Sequence, residues 1–162
     1  MIHEVIDVDI DYEKLGIKHD ESRATITTYI KEMYPNDQKP FKRPLMIICP
    51  GGGYHHHSPR EGEAIAVKML DIGMNAVILR YSLMPNEFPC ALYELAYTVD
   101  YVREHADEWD VDPDKIIVAG FSAGGHVAAC LGTMYNQPEL KSFLDYKGID
   151  SDRVKPNGML LG

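Results

Sequence analysis

The chain has 162 residues, 45% of them hydrophobic, so it can bury one sizeable core, and its composition excludes general disorder. Its net charge of -9 and pI near 5.1 argue against a nucleic-acid partner, because phosphate binding requires clustered lysine and arginine. The N-terminus has no basic start followed by an apolar run, and no stretch reaches membrane-spanning length, so we expect a cytoplasmic protein with no membrane partner.

The first segments in chain order predict an antiparallel start to a sheet. Residues 5–10 alternate apolar and acidic side chains, and residues 24–33 are rich in Thr, Ile and Tyr. The turn-rich, charged residues 34–44 predict an exposed loop. The continuous apolar run at residues 45–49 then predicts a strand that is covered on both faces, as in a parallel sheet.

A glycine-rich segment, Pro50-Gly51-Gly52-Gly53-Tyr54, follows this strand. Three consecutive glycines let backbone N–H groups approach a ligand without obstruction by side chains, which is typical of one half of an oxyanion hole. A phosphate-binding loop is the alternative. It is disfavoured because no Gly-Lys-Ser/Thr follows and the G-x-G-x-x-G spacing is absent.

The next segment is polar and then helical. No carboxylate or cysteine lies at a metal-ligand spacing from His55-His56-His57. We therefore predict that these histidines form a polar lining at the mouth of a pocket and bind no metal. Ser58-Pro59-Arg60-Glu61 combines an N-cap serine, a proline at the first helical position and a glutamate three residues after the cap. It predicts a helix that runs to about Gly73, with an apolar face formed by Ile65, Met69 and Ile72.

Residues 75–81 predict the next buried strand, with Arg80 and Tyr81 at its carboxyl end. That end faces the ligand crevice in open α/β sheets, so both residues are candidates for supporting a site. A structural ion pair for Arg80 and a core position for Tyr81 are equally open. A long helix is predicted to extend to about Trp109, with Leu92, Leu95, Val99 and Val102 on its buried side and Arg103, Glu104 and Glu108 on its solvated side.

The candidate nucleophile lies in Gly120-Phe121-Ser122-Ala123-Gly124, a G-x-S-x-G pentapeptide between an apolar strand and a helix. Glycines on both sides allow Ser122 to adopt a strained backbone conformation with its hydroxyl projecting from the sheet edge. The N–H of Ala123 then points to the same spot and predicts an oxyanion donor. A plain glycine turn is the alternative.

The remaining chain predicts a turn at Asp112-Pro113-Asp114, a helix over residues 126–135 that Pro138 breaks, and a last strand that opens at Met159. Asp145, Asp150 and Asp152 are interpreted as surface carboxylates. The chain has an odd number of cysteines, and each of them lies in an apolar segment. Cys49, Cys90 and Cys130 are therefore interpreted as reduced core thiols. The alternation of strand and helix predicts a parallel α/β sheet with right-handed crossovers.

Residues 50–54, 80–81, 109–113 and 120–126 together resemble the α/β-hydrolase esterases of the acetyl-xylan-esterase and hormone-sensitive-lipase-like type. The resemblance implies the α/β-hydrolase fold, a mostly parallel sheet flanked by helices, here ending after the sixth strand. It implies one domain over residues 1–162, incomplete at its C-terminus, with no metal or cofactor. The implied partner is a small-molecule ester with a short acyl group, such as an acetylated saccharide or xylan fragment.

The resemblance also implies roles for individual residues. Ser122 matches the nucleophile, and Gly52, Gly53 and Ala123 match the oxyanion hole. Candidate pocket residues are Tyr54, His55, Arg80 and Tyr81.

The other members of a catalytic triad are harder to place. In this fold the acid and then the histidine follow the nucleophile along the chain, and His126 is the one histidine after Ser122. Since its ring should pack along the helix, we expect the acid and base beyond Gly162 and little hydrolysis of p-nitrophenyl acetate by residues 1–162 alone. We also expect an uncovered sheet edge near Met159 that invites association.

Two other interpretations stay open. A serine peptidase of the prolyl-oligopeptidase type shares the pentapeptide and the fold, and cleavage of a peptide anilide would distinguish it. A non-catalytic, hydrolase-like binding module would explain the missing acid and base, and failure of a fluorophosphonate to label Ser122 would indicate it.

Overall fold

The computed structural model describes residues 1–20, 22–33 and 41–162. Over these residues the chain forms six strands and four α-helices. The strands are β1 (Val5–Asp7), β2 (Thr25–Tyr29), β3 (Arg43–Cys49), β4 (Asn75–Arg80), β5 (Val111–Gly120) and β6 (Gly158–Leu161). The helices are α1 (Glu63–Asp71), α2 (Cys90–Glu104), α3 (Ala123–Met134) and α4 (Pro138–Lys147). The loop predicted over residues 34–44 lies, for residues 34–40, outside the described ranges.

The strands form one sheet in the order β1-β2-β4-β3-β5-β6. The pairs β1–β2 and β2–β4 are antiparallel, and the pairs β4–β3, β3–β5 and β5–β6 are parallel. The α/β-hydrolase-type sheet is therefore confirmed, with an antiparallel edge followed by a parallel section. Because β3 and β5 are central and adjacent, their carboxyl ends bring the glycine-rich segment and the pentapeptide together.

Both faces of β3 and β4, at the centre of the sheet, are largely buried. Side chains alternate between the two faces of a strand, so Leu45 and Ile47 of β3 pack with α2 and α3, while Met46 and Ile48 pack with Ala66 of α1. The predicted buried face of α2 is confirmed, since Leu92, Leu95, Val99 and Val102 are all buried. This two-sided burial explains the uninterrupted apolar sequence of β3.

The predicted helix after Ser58 has a different start. Residues 59–61 form a short 3₁₀ turn, α1 begins at Glu63, and Ser58 makes no side-chain capping bond. The capping box does not form because the Glu61 carboxylate accepts a hydrogen bond from the N–H of Gly51, at 2.8 Å. Ile72, predicted on the apolar face, is 59% exposed beyond the end of α1.

One prediction in the second half of the chain was wrong. Residues 112–114 belong to β5 and not to a turn, because Val111 already pairs with Arg43 and a bulge shifts the register before Leu45. The helix predicted to stop before Pro138 does so, since α3 ends at Met134, and Pro138 then begins α4, where its fixed φ angle suits the first helical turn. Leu140 and Phe143, which α4 buries in the core, are too few to mark that helix in the sequence.

Arg103, predicted on the solvated side of α2, is instead a structural anchor. Its guanidinium donates to the carbonyl oxygens of Arg153 at 2.6 Å and Lys155 at 2.7 Å, and to Oδ1 of Asn157 at 3.1 Å. The buried carboxylate of Asp100 accepts a hydrogen bond from Nε of Arg153 at 2.9 Å. These contacts hold the segment that leads into β6 against α2.

The outer edge of the sheet at β6 is apolar and open. Met159, Leu160 and Leu161 are 44%, 46% and 53% exposed. Among the described residues, no helix combines the length and apolar character needed to cross a membrane.

Candidate active site

Ser122 lies between β5 and α3 in a conformation that non-glycine residues rarely adopt, with φ 51° and ψ -116°. Glycines surround it because the backbones approach too closely for side chains. A Cβ atom on Gly120 would lie 2.1 Å from the carbonyl oxygen of Gly124, and one on Gly124 would lie 2.0 Å from the carbonyl oxygen of Cys49. The pentapeptide therefore forms the sharp strand-to-helix turn that its sequence predicts.

The glycine-rich segment runs directly beside Ser122. A Cβ atom on Gly51 would lie 3.1 Å from Cβ of Ser122, and one on Gly52 would lie 2.0 Å from the carbonyl oxygen of His56. Gly52 and Gly53 have φ angles of 136° and 62°, which glycine adopts without strain. The absence of side chains at Gly51 and Gly52 is thus a steric requirement of the turn, and Gly53 is favoured by its positive φ angle.

Three backbone N–H groups in this region have no hydrogen-bond partner among the described residues. Within the described ranges, no hydrogen bond uses the N–H of Gly52, Gly53 or Ala123. The N–H of Ser122 itself is occupied, because it donates to the carbonyl oxygen of Gly162 at 2.8 Å. N–H groups at the start of a helix, facing a nucleophile, can stabilise negative charge that develops on a carbonyl oxygen.

Tyrosine side chains anchor the glycine-rich segment from both sides. The buried Tyr81 hydroxyl donates to the carbonyl oxygen of Pro50 at 2.6 Å, and burial raises the pKa of Tyr81. The Tyr54 hydroxyl lies 2.7 Å from Nδ1 of His126, and burial raises the pKa of Tyr54 to about 12. Tyr81 thus occupies the core position that was one of its two predictions. Its hydroxyl also supports the glycine-rich segment, in agreement with the other prediction.

His126 is engaged along its own helix, as the sequence leads us to expect. One ring nitrogen meets Tyr54, and Nε2 lies 3.6 Å from Sγ of Cys130, one turn further along α3. Both ring nitrogens therefore contact groups other than the Ser122 hydroxyl. This geometry does not provide a general base for Ser122.

The other candidate residues are spread over the surroundings of the site. His55 is exposed, and Arg80 donates from Nη1 to Oγ1 of Thr27 on β2 at 3.1 Å, pointing across the antiparallel section. The ring of His57 packs against Tyr81, and burial lowers the pKa of His57. Asp145, Asp150 and Asp152 are exposed. The described part of the chain contains no cluster of three potential metal-binding side chains.

A cavity of about 320 Å³ opens beside Gly53 and His126. Its apolar lining comes from the start of α2, the loop before it and α3, namely Met84, Phe88, Ala91, Leu92, Val127 and Cys130. Its remaining lining residues are Tyr54, Ser82, Asn86 and Glu87. Of these, only Tyr54 could be named from sequence, since no local motif marks the others.

A buried carboxylate holds Ser82, one of the residues that line the cavity. Glu94 is fully buried and accepts hydrogen bonds from the Tyr12 hydroxyl at 2.7 Å and from the N–H and hydroxyl of Ser82, the N–H at 2.7 Å. His19 Nε2 lies 2.8 Å from the Ser82 hydroxyl and 3.8 Å from Glu94. We call these four residues the Glu94 network. The sequence offered no signal for it, because its members are far apart along the chain.

A strained serine at a strand-to-helix turn, with N–H groups of a neighbouring glycine loop beside it on this sheet, defines an α/β-hydrolase. Residues 32–156, which make up well over half of the chain, match the BD-FAE family. The chain therefore belongs to the BD-FAE family of α/β-hydrolase esterases.

Individual relatives agree with this assignment. The chain is 32% identical, over 74% of its length, to endo-1,4-beta-xylanase B of Butyrivibrio fibrisolvens, and 26% identical, over 71%, to the acetylxylan esterase of Xylanibacter ruminicola. The crystal structure of the carboxylesterase Cest-2923 from Lactobacillus plantarum superposes over 100% of the chain and 56% of that protein, with a TM-score of 0.77 and 32% identity. The chain spans 19% and 23% of the two curated relatives.

Proposed function

We propose that this chain carries the nucleophile and oxyanion hole of a serine carboxylic-ester hydrolase. The Ser122 hydroxyl attacks the ester carbonyl as a general base takes its proton, and the N–H groups of Ala123, Gly52 and Gly53 stabilise the oxyanion of the tetrahedral intermediate. The alcohol leaves with the proton that the base returns, and water, deprotonated by the same base, then releases the acid from the acyl-enzyme. The observation that carries this proposal is the strained Ser122 beside the glycine-rich segment, where the N–H groups of Gly52, Gly53 and Ala123 have no hydrogen-bond partner in the described part of the chain.

The general base and its acid partner are proposed to lie outside residues 1–162. Two observations support this. Both ring nitrogens of His126 already have partners, and the solved relatives Cest-2923 and Est2 of Thermogutta terrifontis are matched over only 56% and 52% of their lengths. The open apolar edge at β6 is where we propose that the polypeptide carrying these residues associates.

An acetylated saccharide is the proposed substrate type that the relatives favour. Similarity to a xylanase and an acetylxylan esterase supports a sugar as the alcohol half of the ester. The Ser122 site itself carries no feature that selects a particular sugar, so this part rests on the relatives alone.

The direct test uses an alkyl fluorophosphonate probe, which reacts with activated serine hydroxyls. We expect the enzyme isolated from its own cells to be labelled at Ser122 and to hydrolyse p-nitrophenyl acetate, and Ser122→Ala to lose labelling and at least about a thousandfold in kcat. Residues 1–162 alone should hydrolyse this ester weakly or not at all. Ser151, which begins a short 3₁₀ turn far along the chain, offers the control Ser151→Ala, which should leave both readouts unchanged.

Other results would separate the alternative functions. Cleavage of a peptide anilide faster than the acetyl ester would favour a serine peptidase. An isolated enzyme that is never labelled at Ser122 would overturn the proposal and favour a non-catalytic binding module. The intact mass of the isolated enzyme, compared with the 18.3 kDa of residues 1–162, tests separately whether further residues are present.

A further inference from the structure

We propose that the hydrogen bond between Tyr54 and His126 is a positioning contact for the proposed reaction. It holds the N–H of Gly53 in place relative to Ser122. His126 thus acts through the glycine-rich segment and takes no proton from the nucleophile. This inference rests on the proposed ester hydrolysis and assigns a role to two side chains that the proposed mechanism does not otherwise use.

The two halves of the proposed oxyanion hole belong to different elements of the fold. Gly52 and Gly53 lie in the segment after β3, whereas Ala123 is the first residue of α3. Groups that stabilise a transition state have to be held to within about 0.5 Å of their productive positions. A contact that joins the segment to α3 therefore acts directly on the alignment of the donors.

The α3 end of this contact is fixed to the nucleophile itself. The backbone N–H of His126 donates to the carbonyl oxygen of Ser122 at 3.0 Å. Nε2 of the His126 ring lies 3.6 Å from Sγ of Cys130, and Nδ1 lies 2.7 Å from the Tyr54 hydroxyl. The ring is therefore held by its own helix with Nδ1 directed at the glycine-rich segment.

The other end of the contact is a strained residue that directly follows Gly53. Tyr54 has a φ angle of 62°, which bulky residues rarely adopt. Its carbonyl oxygen accepts the N–H of Met84 at 2.9 Å, and its ring packs edge-on against Tyr81 with 5.8 Å between the centroids. A strained conformation persists where surrounding contacts hold it, so loss of the hydroxyl contact should let the backbone at Gly53 shift.

The other side chains that hold the glycine-rich segment belong to different elements. Glu61 holds Gly51 from the turn before α1, and Tyr81 holds Pro50 from the residue after β4. The contact with His126 instead reaches α3, which begins directly after the nucleophile. We therefore assign the alignment between the two halves of the oxyanion hole to this contact.

The contact is a neutral hydrogen bond on the tyrosine side. Burial raises the pKa of Tyr54 to about 12, so its hydroxyl stays protonated at neutral pH. The hydroxyl can donate to Nδ1 of His126 or accept from it, and Nδ1 is occupied in both arrangements. Tyr54→Phe therefore removes one hydrogen bond, keeps the ring and changes no charge.

The experiment is a double-mutant cycle that measures kcat and KM of the isolated enzyme for p-nitrophenyl acetate. Tyr54→Phe and His126→Ala should each lower kcat about tenfold and change KM less than about threefold, because oxyanion donors act mainly on the transition state. The variant with both changes should lose no more than either single variant, since both remove the same bond. Losses that multiply to about a hundredfold would overturn the proposal.

A conservative variant separates positioning from general damage to α3. Asparagine carries Oδ1 where histidine carries Nδ1, so His126→Asn can still accept from the Tyr54 hydroxyl and should keep kcat within about threefold of the wild type. Combined with Tyr54→Phe, the same substitution should leave kcat at the low value of Tyr54→Phe alone. The control Tyr135→Phe removes a hydroxyl at the C-terminal end of α3 and should keep the wild-type kcat. Low activity in His126→Asn, or recovery without the Tyr54 hydroxyl, would contradict the positioning role.

The outcomes distinguish this inference from the proposed function. A wild-type enzyme that hydrolyses the ester, with kcat unchanged in Tyr54→Phe and His126→Ala, keeps the ester hydrolase and overturns the positioning role. If the wild type hydrolyses no ester, the proposed function fails, and the amide NMR resonance of Gly53 tests the contact alone. A resonance that moves in Tyr54→Phe and His126→Ala, and returns close to its wild-type position in His126→Asn, supports the contact. A resonance that stays in place in all variants overturns it.

Discussion

The surroundings of Ser122 are fixed by close contacts between backbones, whereas Ser82, in the lining of the neighbouring cavity, is held by side chains around a buried carboxylate. At the turn, the carbonyl oxygen of Cys49 leaves no room for a Cβ atom on Gly124. In the Glu94 network, residues from the N-terminal segment, the loop after β4 and α2 meet at one carboxylate. The first region thus depends on side chains that are absent, and the second on side chains that must all be present.

The largest expected effect tests the backbone contacts. Gly124→Ala places a Cβ atom 2.0 Å from the carbonyl oxygen of Cys49, so β3 or α3 has to move. We expect the free energy of unfolding, measured by urea denaturation, to fall by on the order of 4 kcal/mol. The control Gly158→Ala meets nothing closer than Cγ1 of Ile117 at 3.6 Å and should cost almost nothing. Equal losses in the two variants would contradict close packing as the constraint at Ser122.

The next effect tests the buried carboxylate. Glu94→Ala leaves the Tyr12 hydroxyl and the Ser82 N–H buried without their acceptor, and we expect the free energy of unfolding to fall by about 3 kcal/mol. Glu104→Ala changes an exposed carboxylate on the same helix and should stay within about 0.5 kcal/mol of the wild type. If Glu94→Ala were as mild as this control, the network would not hold Ser82 in place.

A smaller effect connects the two regions, because Glu61 is a side chain that holds the glycine-rich segment. Glu61→Ala removes the acceptor of the Gly51 N–H, so the neighbouring N–H groups should lose their alignment with Ser122. We expect the rate of fluorophosphonate labelling of Ser122 in the isolated enzyme to fall on the order of tenfold.

The conservative variant separates positioning from general destabilisation. Glu61→Gln keeps an acceptor oxygen and should restore the labelling rate to within about threefold of the wild type. The exposed Glu63 provides the control Glu63→Ala, which should react at the wild-type rate. Slow labelling in both Glu61 variants, with stability unchanged, would indicate that the charge and not the acceptor is needed.

The smallest effect is a dependence of stability on pH. Glu94 raises the pKa of His19 in the folded protein, with Asp20 nearby acting in the same direction. The stabilising contribution of His19 is therefore complete below its ordinary pKa of about 6.5 and is lost as the pH rises through the higher folded pKa. His57, whose pKa burial lowers, changes stability in the opposite direction with pH.

The difference between the wild type and His19→Gln isolates this contribution. We expect their free energies of unfolding, measured in urea from pH 5.5 to 8.5, to differ more at the acidic end than at the alkaline end. The change should be smaller than the loss in Glu94→Ala. A difference that grows as the pH rises would contradict the ion pair between His19 and Glu94.

The contrast between the two regions also explains what the sequence could predict. The turn at Ser122 is encoded within five consecutive residues, and an unbroken apolar run predicts that β3 is a buried strand. Glu94 and Arg103, by contrast, read as ordinary polar residues on a helix, because their partners lie 12 to 82 residues away from Glu94 and about 50 from Arg103. Their roles depend on tertiary contacts that no local pattern records.

The hydrogen bond between Ser122 and Gly162 makes the backbone of Ser122 sensitive to the last pairing of the sheet. The N–H of Ser122 donates to the carbonyl oxygen of Gly162, whose own N–H donates to Gly120 at 2.9 Å. Loss of the pairing between Gly162 and Gly120 would remove this partner from Ser122 and allow its strained backbone to relax. If a polypeptide pairs with the outer edge of β6, we expect it to keep this pairing closed and so to hold Ser122 in the conformation that the proposed reaction uses.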